Sequence, residues 1–123
     1  MDRRFYERLP LYVDCMIIDQ STGKEYQAKL CDISEGGVGI LLAAATAPDV
    51  GTSCSIQFMD TFDNHNFVIS ETILVSNIAR SSIGARIGGS FRKALSNQCK
   101  SYIQLLSARS LLNLDNLYLG AAQ

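Results

Sequence analysis

The sequence predicts a mainly β fold, in which short antiparallel strands form a small barrel or sandwich and one helix follows them. Apolar and polar residues alternate in several short segments that are rich in β-branched side chains. Turn-forming residues separate these segments at close, regular spacing. After Phe91 the apolar period changes from that of a strand to that of a helix.

Four strands are predicted before the middle of the chain, and two follow it. A turn at residues 20–24 separates the first two strands, and a loop at residues 43–52 precedes the fourth. The apolar alternation of the fifth strand is interrupted by Glu71 and flanked by Leu74 and Ile78, which predicts a β-bulge in this strand. The strands are predicted at residues 11–19, 26–31, 38–42, 54–58, 67–79 and 83–87, with polar connections at 60–66 and 80–82.

The C-terminal segment predicts a helix that packs on the strands. Ser96 is a suitable N-cap, and Cys99, Ile103 and Leu106 recur at helical spacing on one face. Residues 111–119 are again apolar, and their predicted role is packing on the barrel, with a dimer surface or a docking patch as the alternatives.

Length and charge limit the classes of function. The chain has 123 residues, of which 47% are hydrophobic, enough for one compact domain with a real core. The net charge is −1 and the sequence pI is about 5.7. Neither a nucleic acid polymer nor an anionic membrane is an expected partner, because both attract broadly basic surfaces. Any anion site must be local.

The sequence lacks a membrane span, a signal peptide and a set of zinc ligands, and these absences predict the location and the metal binding of the protein. No apolar run approaches the length of a membrane span, and the chain starts with Met-Asp-Arg-Arg instead of an apolar signal, so we expect a cytoplasmic protein without membrane insertion. The four cysteines (Cys15, Cys31, Cys54, Cys99) are widely spaced and have no ligand histidines nearby, which predicts buried small side chains and no zinc site.

The first candidate functional motif is Asp32-Ile33-Ser34-Glu35-Gly36-Gly37, at the end of the second predicted strand. The acid and the hydroxyl are able to hydrogen-bond the turn's own amides, and the paired glycines allow positive φ, which predicts a rigid corner. The same groups also suit a ligand, since glycines admit it close to backbone amides. Taken alone, such a turn is more often structural.

The second motif lies in the charged and aromatic residues 1–10. Arg4 and Arg8 have an RxxxR spacing, and Arg3 adds a third guanidinium. Arginine recognises phosphates and guanine edges through its planar fork of donors. Taken alone, this segment is more often a solvated tail. Arg80 and Arg86 lie near a turn and stay outside the predicted core site.

The two motifs together, in this order, resemble those of the PilZ domain, the bacterial receptor module for cyclic di-GMP. The matching residues are Arg4-Phe5-Tyr6-Glu7-Arg8 and residues 32–37, and residues 83–91 are similar to the family's last strand. The resemblance covers nearly the whole chain. It implies a six-stranded antiparallel β-barrel with a C-terminal α-helix, divided into a flexible arginine arm (1–10), the barrel (11–91), and a helix and tail (96–119).

The resemblance also implies a ligand and a mechanism. Cyclic di-GMP is the expected ligand, and no cofactor is expected. The expected ligand-binding residues are Arg3, Arg4, Arg8, Asp32, Ser34, Gly36 and Gly37. The arm would close over the dinucleotide and change the surface that is shown to an effector protein. The arginine directly before the RxxxR is similar to that of family members that bind two intercalated ligand molecules.

The leading hypothesis is therefore a non-enzymatic cyclic di-GMP receptor that controls motility, exopolysaccharide or biofilm formation through a protein partner, with a homodimer as one possible assembly. No nucleophile–base pair, metal set or paired carboxylates emerge from the spacing, so an enzyme is not expected. Two alternatives remain open: a PilZ-like protein-interaction scaffold and a small barrel that binds single-stranded nucleic acid.

Overall fold

The chain folds into a six-stranded antiparallel barrel with one helix, as the sequence predicted. The computed structural model describes residues 7–43 and 46–121, with side chains described up to Leu111. The strands close in the order β1-β2-β3-β6-β5-β4. The elements are β1 (Leu9–Asp19), β2 (Glu25–Ile33), β3 (Gly37–Leu42), β4 (Ser53–Phe62), β5 (His65–Ser81), β6 (Gly84–Phe91) and α1 (Asn97–Ala121).

The barrel closes because β1 pairs with two neighbours. One edge of β1 pairs with β2, and the other pairs with β4 in the register Cys15↔Phe58 to Asp19↔Cys54. On the opposite side β3 pairs with β6, so β2, β3, β6 and β5 lie next to one another in that order. This side of the barrel carries the candidate site.

Alternating apolar residues fill the interior, as the strand patterns predicted. Ile17, Leu30, Ile40, Ile56 and Ile73 are fully buried, at 0% exposure. Such side chains stabilise the barrel by removing apolar surface from water.

Three of the four cysteines belong to this core. Burial raises the pKa of Cys15 and Cys99 to about 12 and that of Cys54 to about 11, so the three thiols stay protonated and behave as small apolar groups. Cys31 is only half-buried. It is the extra residue where the pairing of β2 with β3 shifts between Leu30 and Asp32.

The bulge predicted in the fifth strand is present, but it lies between Leu74 and Ile78 and not at Glu71. The alternation continues through Glu71, and its carboxylate accepts a hydrogen bond at 2.9 Å from the amide of Ser96, just before α1. The irregularity of β5 lies farther along, where the pairing with β6 shifts between Val75 and Asn77. Glu71 therefore binds the segment that leads into α1, and it does not break the strand.

Two boundaries also differ from the prediction. Leu9 and Pro10, assigned to the arm, pair with Ile33 and Asp32 as the start of β1. Strands β4 and β5 extend to within two residues of each other, because Asp63 and Asn64 both adopt positive φ, at 49° and 65°. Two successive residues with positive φ form a two-residue hairpin turn. The longer polar connection predicted at residues 60–66 is therefore part of the two strands and this turn.

Helix α1 packs on the barrel through its first turns. Ser96 is the predicted N-cap, and its Oγ accepts a hydrogen bond at 3.2 Å from the amide of Cys99. Cys99, Tyr102 and Ile103 are buried in the core cluster. No part of the helix, over its described residues, is long and apolar enough to cross a membrane.

Candidate functional site

The turn between β2 and β3 is held together by Ser34. This residue is 4% exposed. Its Oγ accepts hydrogen bonds from the amides of Gly36 at 3.1 Å and Gly37 at 3.3 Å. The amide of Ser34 donates to the carbonyl of Gly37 at 2.9 Å. The hydroxyl therefore stabilises its own turn, as the sequence predicted, and presents the backbone of Gly36 at the surface.

The paired glycines of this turn do not use the positive φ that they allow. Neither Gly36 nor Gly37 has a positive φ; the glycines that do, among the described residues, are Gly23 and Gly51. Glycine is required at position 37 for a different reason. A Cβ there would lie 2.1 Å from the carbonyl oxygen of Gly89 on β6. The close approach of two strands, instead of a backbone twist, excludes a side chain at this point.

Asp32 lies between two arginines. Arg8 Nη1 donates to Asp32 Oδ1 at 2.6 Å, and Arg86 Nη2 donates to Asp32 Oδ2 at 3.1 Å. The Asp32 side chain is 13% exposed, against 26% for Arg8 and 56% for Arg86. One carboxylate therefore holds two guanidiniums at the surface of the barrel. We call this set the Arg8–Asp32–Arg86 cluster.

The strand pairing explains why the cluster forms. Leu9 pairs with Ile33, so Arg8 enters β1 beside the end of β2. Asp32 itself lies opposite Gly39 on β3, and a Cβ at Gly39 would come within 2.3 Å of Asp32 Oδ2. Glycine at this position therefore lets the carboxylate lie flat across β3 and reach the arginine on β6.

A groove of about 630 Å³ begins beside Arg86 on the same outer face. Its walls include the exposed side chains Tyr12, Leu41 and Ile83, the cation Arg86, and Lys29, which forms an ion pair with Asp14. The Lys29 ammonium lies 5.1 Å from the ring centre of Tyr12. Apolar and aromatic walls suit the flat rings of a ligand, and Arg86 at the edge of the groove suits its negative charge.

The structure brings some of the predicted site residues together and leaves others outside its description. Arg8 and Asp32 are directly paired, and Ser34, Gly36 and Gly37 form the adjoining turn. The other two predicted arginines, Arg3 and Arg4, lie outside the described residues.

Arg86 was left out of the predicted site, although it contacts Asp32. The signal that could have identified it is its outward position in β6, between the buried Ala85 and Ile87. Arg80, also left out, lines the groove and pairs with Asp49 at 3.1 Å.

The described part of the chain contains no group of three metal-ligating side chains close enough to hold an ion. The Arg8–Asp32–Arg86 cluster instead presents hydrogen-bond donors. Each guanidinium carries five N–H groups, and Asp32 engages a single nitrogen of each arginine. Arg8 Nε is buried and has no partner within the described residues, whereas Arg86 is 56% exposed and presents further donors to the oxygen atoms of an anion.

Solved structures with a similar fold include two proteins and one isolated PilZ domain. The Bacillus subtilis inhibitor of motility MotI/DgrA matches with a TM-score of 0.76 at 20% identity, over 90% of this chain and 53% of that one. The PilZ domain of YcgR from Escherichia coli, solved with c-di-GMP, matches with a TM-score of 0.67 at 18% identity, over 93% of this chain and 98% of that one. YcgR itself, in complex with c-di-GMP, matches with a TM-score of 0.65 at 19% identity, over 99% of this chain and 50% of that one.

The chain thus spans about half the length of MotI/DgrA and of YcgR, and nearly all of the isolated YcgR domain. At these identities the likeness establishes the fold. No significant sequence relative was found among curated proteins. The sequence pattern of the PilZ domain matches residues 2–108, most of the chain. The chain therefore belongs to the PilZ domain family.

Proposed function

We propose that the chain is a receptor for cyclic di-GMP that binds its ligand on the outer face of the barrel, around the Arg8–Asp32–Arg86 cluster. The observation that carries the proposal is the ion pair between Arg8 and Asp32, at 2.6 Å, because it joins the arginine motif to the Asp-x-Ser motif at one place. The PilZ domain is a binding module and not an enzyme family, which agrees with the prediction of a non-enzymatic protein.

Two further observations support this ligand. The YcgR domain that shares this fold over 98% of its length was solved with c-di-GMP. The groove beside Arg86 offers aromatic, apolar and cationic walls, which match the purine rings and phosphates of a cyclic dinucleotide.

Each group in the cluster has a separate role in this proposal. Arg8 and Arg86 donate to phosphate oxygens or to the O6 and N7 edge of a guanine. Asp32 fixes the orientation of both guanidiniums, so little side-chain entropy is lost when the ligand binds. Ser34, Gly36 and Gly37 provide the rigid wall, and Arg3 and Arg4 would approach from residues 1–10.

Ordering of the arm by the ligand would couple binding to output. Residues 7–10 lead into the barrel at the cluster, so a ligand held by the arm and the cluster would change the surface there. An effector protein that recognises the ligand-bound surface would transmit the signal to motility, exopolysaccharide or biofilm formation. We also propose that this receptor acts in the cytoplasm.

The direct test is a calorimetric titration with cyclic di-GMP. We expect the wild-type chain to bind with micromolar or tighter affinity and Arg8→Ala to bind at least about tenfold more weakly, since a charge-assisted contact is lost. Arg109→Ala is the matched control, because Arg109 lies on α1 beside the Phe62 ring, at 5.1 Å from its centre. This control should bind within about twofold of the wild type.

The same titration separates the alternatives. Binding to a single-stranded oligonucleotide without binding to cyclic di-GMP would favour a nucleic-acid-binding barrel. If neither ligand binds, the receptor proposal fails and the protein-interaction scaffold takes its place.

A second measurement concerns stoichiometry. We expect two cyclic di-GMP molecules per protomer, because Arg3 directly precedes the RxxxR and supplies a further guanidinium for a second ligand. The same calorimetric curve gives this number. Arg3→Ala should reduce it to one while tight binding of the first molecule persists. A wild-type stoichiometry of one would contradict the prediction.

A further inference from the structure

Four residues form a row across the outer face of the barrel. Asp32 on β2 lies opposite Gly39 on β3, Gly39 lies opposite Gly88 on β6, and Gly88 lies opposite Asn77 on β5. The row therefore runs from the Arg8–Asp32–Arg86 cluster to the far strand of the same face. By strand spacing, its two ends are at most roughly 14 Å apart between Cα atoms.

The two ends of the row are built alike. A Cβ at Gly39 would lie 2.3 Å from Asp32 Oδ2, and a Cβ at Gly88 would lie 2.5 Å from Asn77 Nδ2. Each polar side chain thus lies flat over the glycine of the neighbouring strand. Each also follows an irregularity in its own strand, between Leu30 and Asp32 and between Val75 and Asn77.

The polar side chains at the two ends of the row differ in the hydrogen bonds that they already make. The Asp32 carboxylate is occupied by two guanidiniums. Asn77 is exposed, and its amide makes one long hydrogen bond among the described residues, at 3.4 Å to Ser76 Oγ. Ser76 Oγ in turn donates to the carbonyl of Gly88 at 3.0 Å. The carbonyl oxygen and one N–H of Asn77 therefore remain available to a ligand.

We infer that Asn77 is a specificity-determining residue of this surface and contacts a guanine base of the bound dinucleotide. This inference rests on the proposed function. The cations that attract phosphate, Arg8 and Arg86, lie at the Asp32 end of the row, whereas Asn77 is neutral. Arg80, the cation nearest along β5, is paired with Asp49 at 3.1 Å.

The chemistry of the amide fits a guanine edge. A side-chain amide presents a donor and an acceptor side by side, and guanine presents O6 as an acceptor next to N1–H as a donor. Because Gly39 and Gly88 carry no side chains, the Asp32 carboxylate and the Asn77 amide lie flat over them, and the row presents a low polar surface on which a flat ring is able to lie. One dinucleotide would then lie along the row, with its phosphates at the arginines of the Arg8–Asp32–Arg86 cluster and one guanine base at Asn77.

The test measures cyclic di-GMP affinity and melting temperature for Asn77→Ala, Asn77→Asp and the control Gln57→Ala. Gln57 is an exposed amide on the outer face of β4, away from the row. We expect Asn77→Ala to weaken binding about tenfold, as expected for two lost hydrogen bonds, with a melting temperature close to that of the wild type. Asn77→Asp should bind more tightly than Asn77→Ala, because its oxygens accept from N1–H and N2–H₂ of guanine.

Each other outcome has a separate meaning. Binding of Asn77→Ala within twofold of the wild type would overturn the inference and leave the proposed function intact. So would an Asn77→Asp variant weaker than Asn77→Ala, since it would indicate a contact with phosphate. If the wild type itself does not bind cyclic di-GMP, the proposed function fails, and the inference fails with it.

Discussion

Replacing Asp32 with alanine is expected to reduce the affinity for cyclic di-GMP by roughly 100-fold, about 3 kcal/mol. The carboxylate is 13% exposed and holds Arg8 and Arg86 by one oxygen each. Without it the two guanidiniums lose their common anchor and repel each other, so the ligand must order both side chains itself. Asp32→Asn retains the shape and one acceptor but no charge, and its affinity should fall between those of the wild type and Asp32→Ala.

A second substitution tests the same geometry without removing the acid. In Gly39→Ala the new Cβ would meet the Asp32 carboxylate, at 2.3 Å from Oδ2. Because the clashing atoms end a flexible side chain, the barrel should stay folded while the carboxylate moves away from Arg86. We expect a loss of affinity comparable with that of Asp32→Asn, measured by calorimetry.

The control for both substitutions is Glu25→Ala, an exposed acid on the same strand, which should bind like the wild type. Full affinity in Asp32→Ala would show that the ligand binds elsewhere on the molecule.

The site could be predicted from sequence only where its residues belong to short motifs. Asp32, Ser34, Gly36 and Gly37 are close in the chain, and the RxxxR spacing identified Arg8. Arg86 lies 54 positions from Asp32 and reaches it only because β3 and β6 pair in one particular register. The register in which β2, β3 and β6 pair is a property of the tertiary structure, so a local sequence pattern does not predict it.

The strands could be predicted for a related reason. Alternation of apolar and polar residues is local, and it is imposed by a barrel with one face buried. A tertiary contact explains the interruption of the apolar pattern at Glu71. Its carboxylate accepts a hydrogen bond from the amide of Ser96 at the start of α1, and the strand stays regular there. The bulge of β5 is at Ser76, and it changes the spacing of inward apolar residues from two to three between Val75 and Ile78.

The attachment of α1 depends on Tyr102, and Tyr102→Ala is expected to destabilise the fold by about 3–5 kcal/mol. Tyr102 is 0% exposed. Its ring meets the edges or faces of Phe58, Phe62 and Phe67 at centre-to-centre distances of 5.5, 6.5 and 5.4 Å. Truncation would leave a cavity between the helix and the barrel, and the melting temperature should fall by roughly 10–20 °C.

Tyr102→Phe separates the packing of the ring from the hydrogen bond of its hydroxyl. The hydroxyl donates to Asp60 Oδ2 at 2.7 Å, and burial, together with this carboxylate, raises the pKa of Tyr102, so the group remains a donor. Losing one hydrogen bond should cost about 1 kcal/mol, a small part of the alanine effect. Thermal unfolding monitored by circular dichroism measures both variants, with the exposed Tyr12→Phe as the control. An equal loss in Tyr102→Phe and Tyr102→Ala would contradict this division, because it would place the stabilisation of α1 in the Asp60 contact instead of in the aromatic cluster.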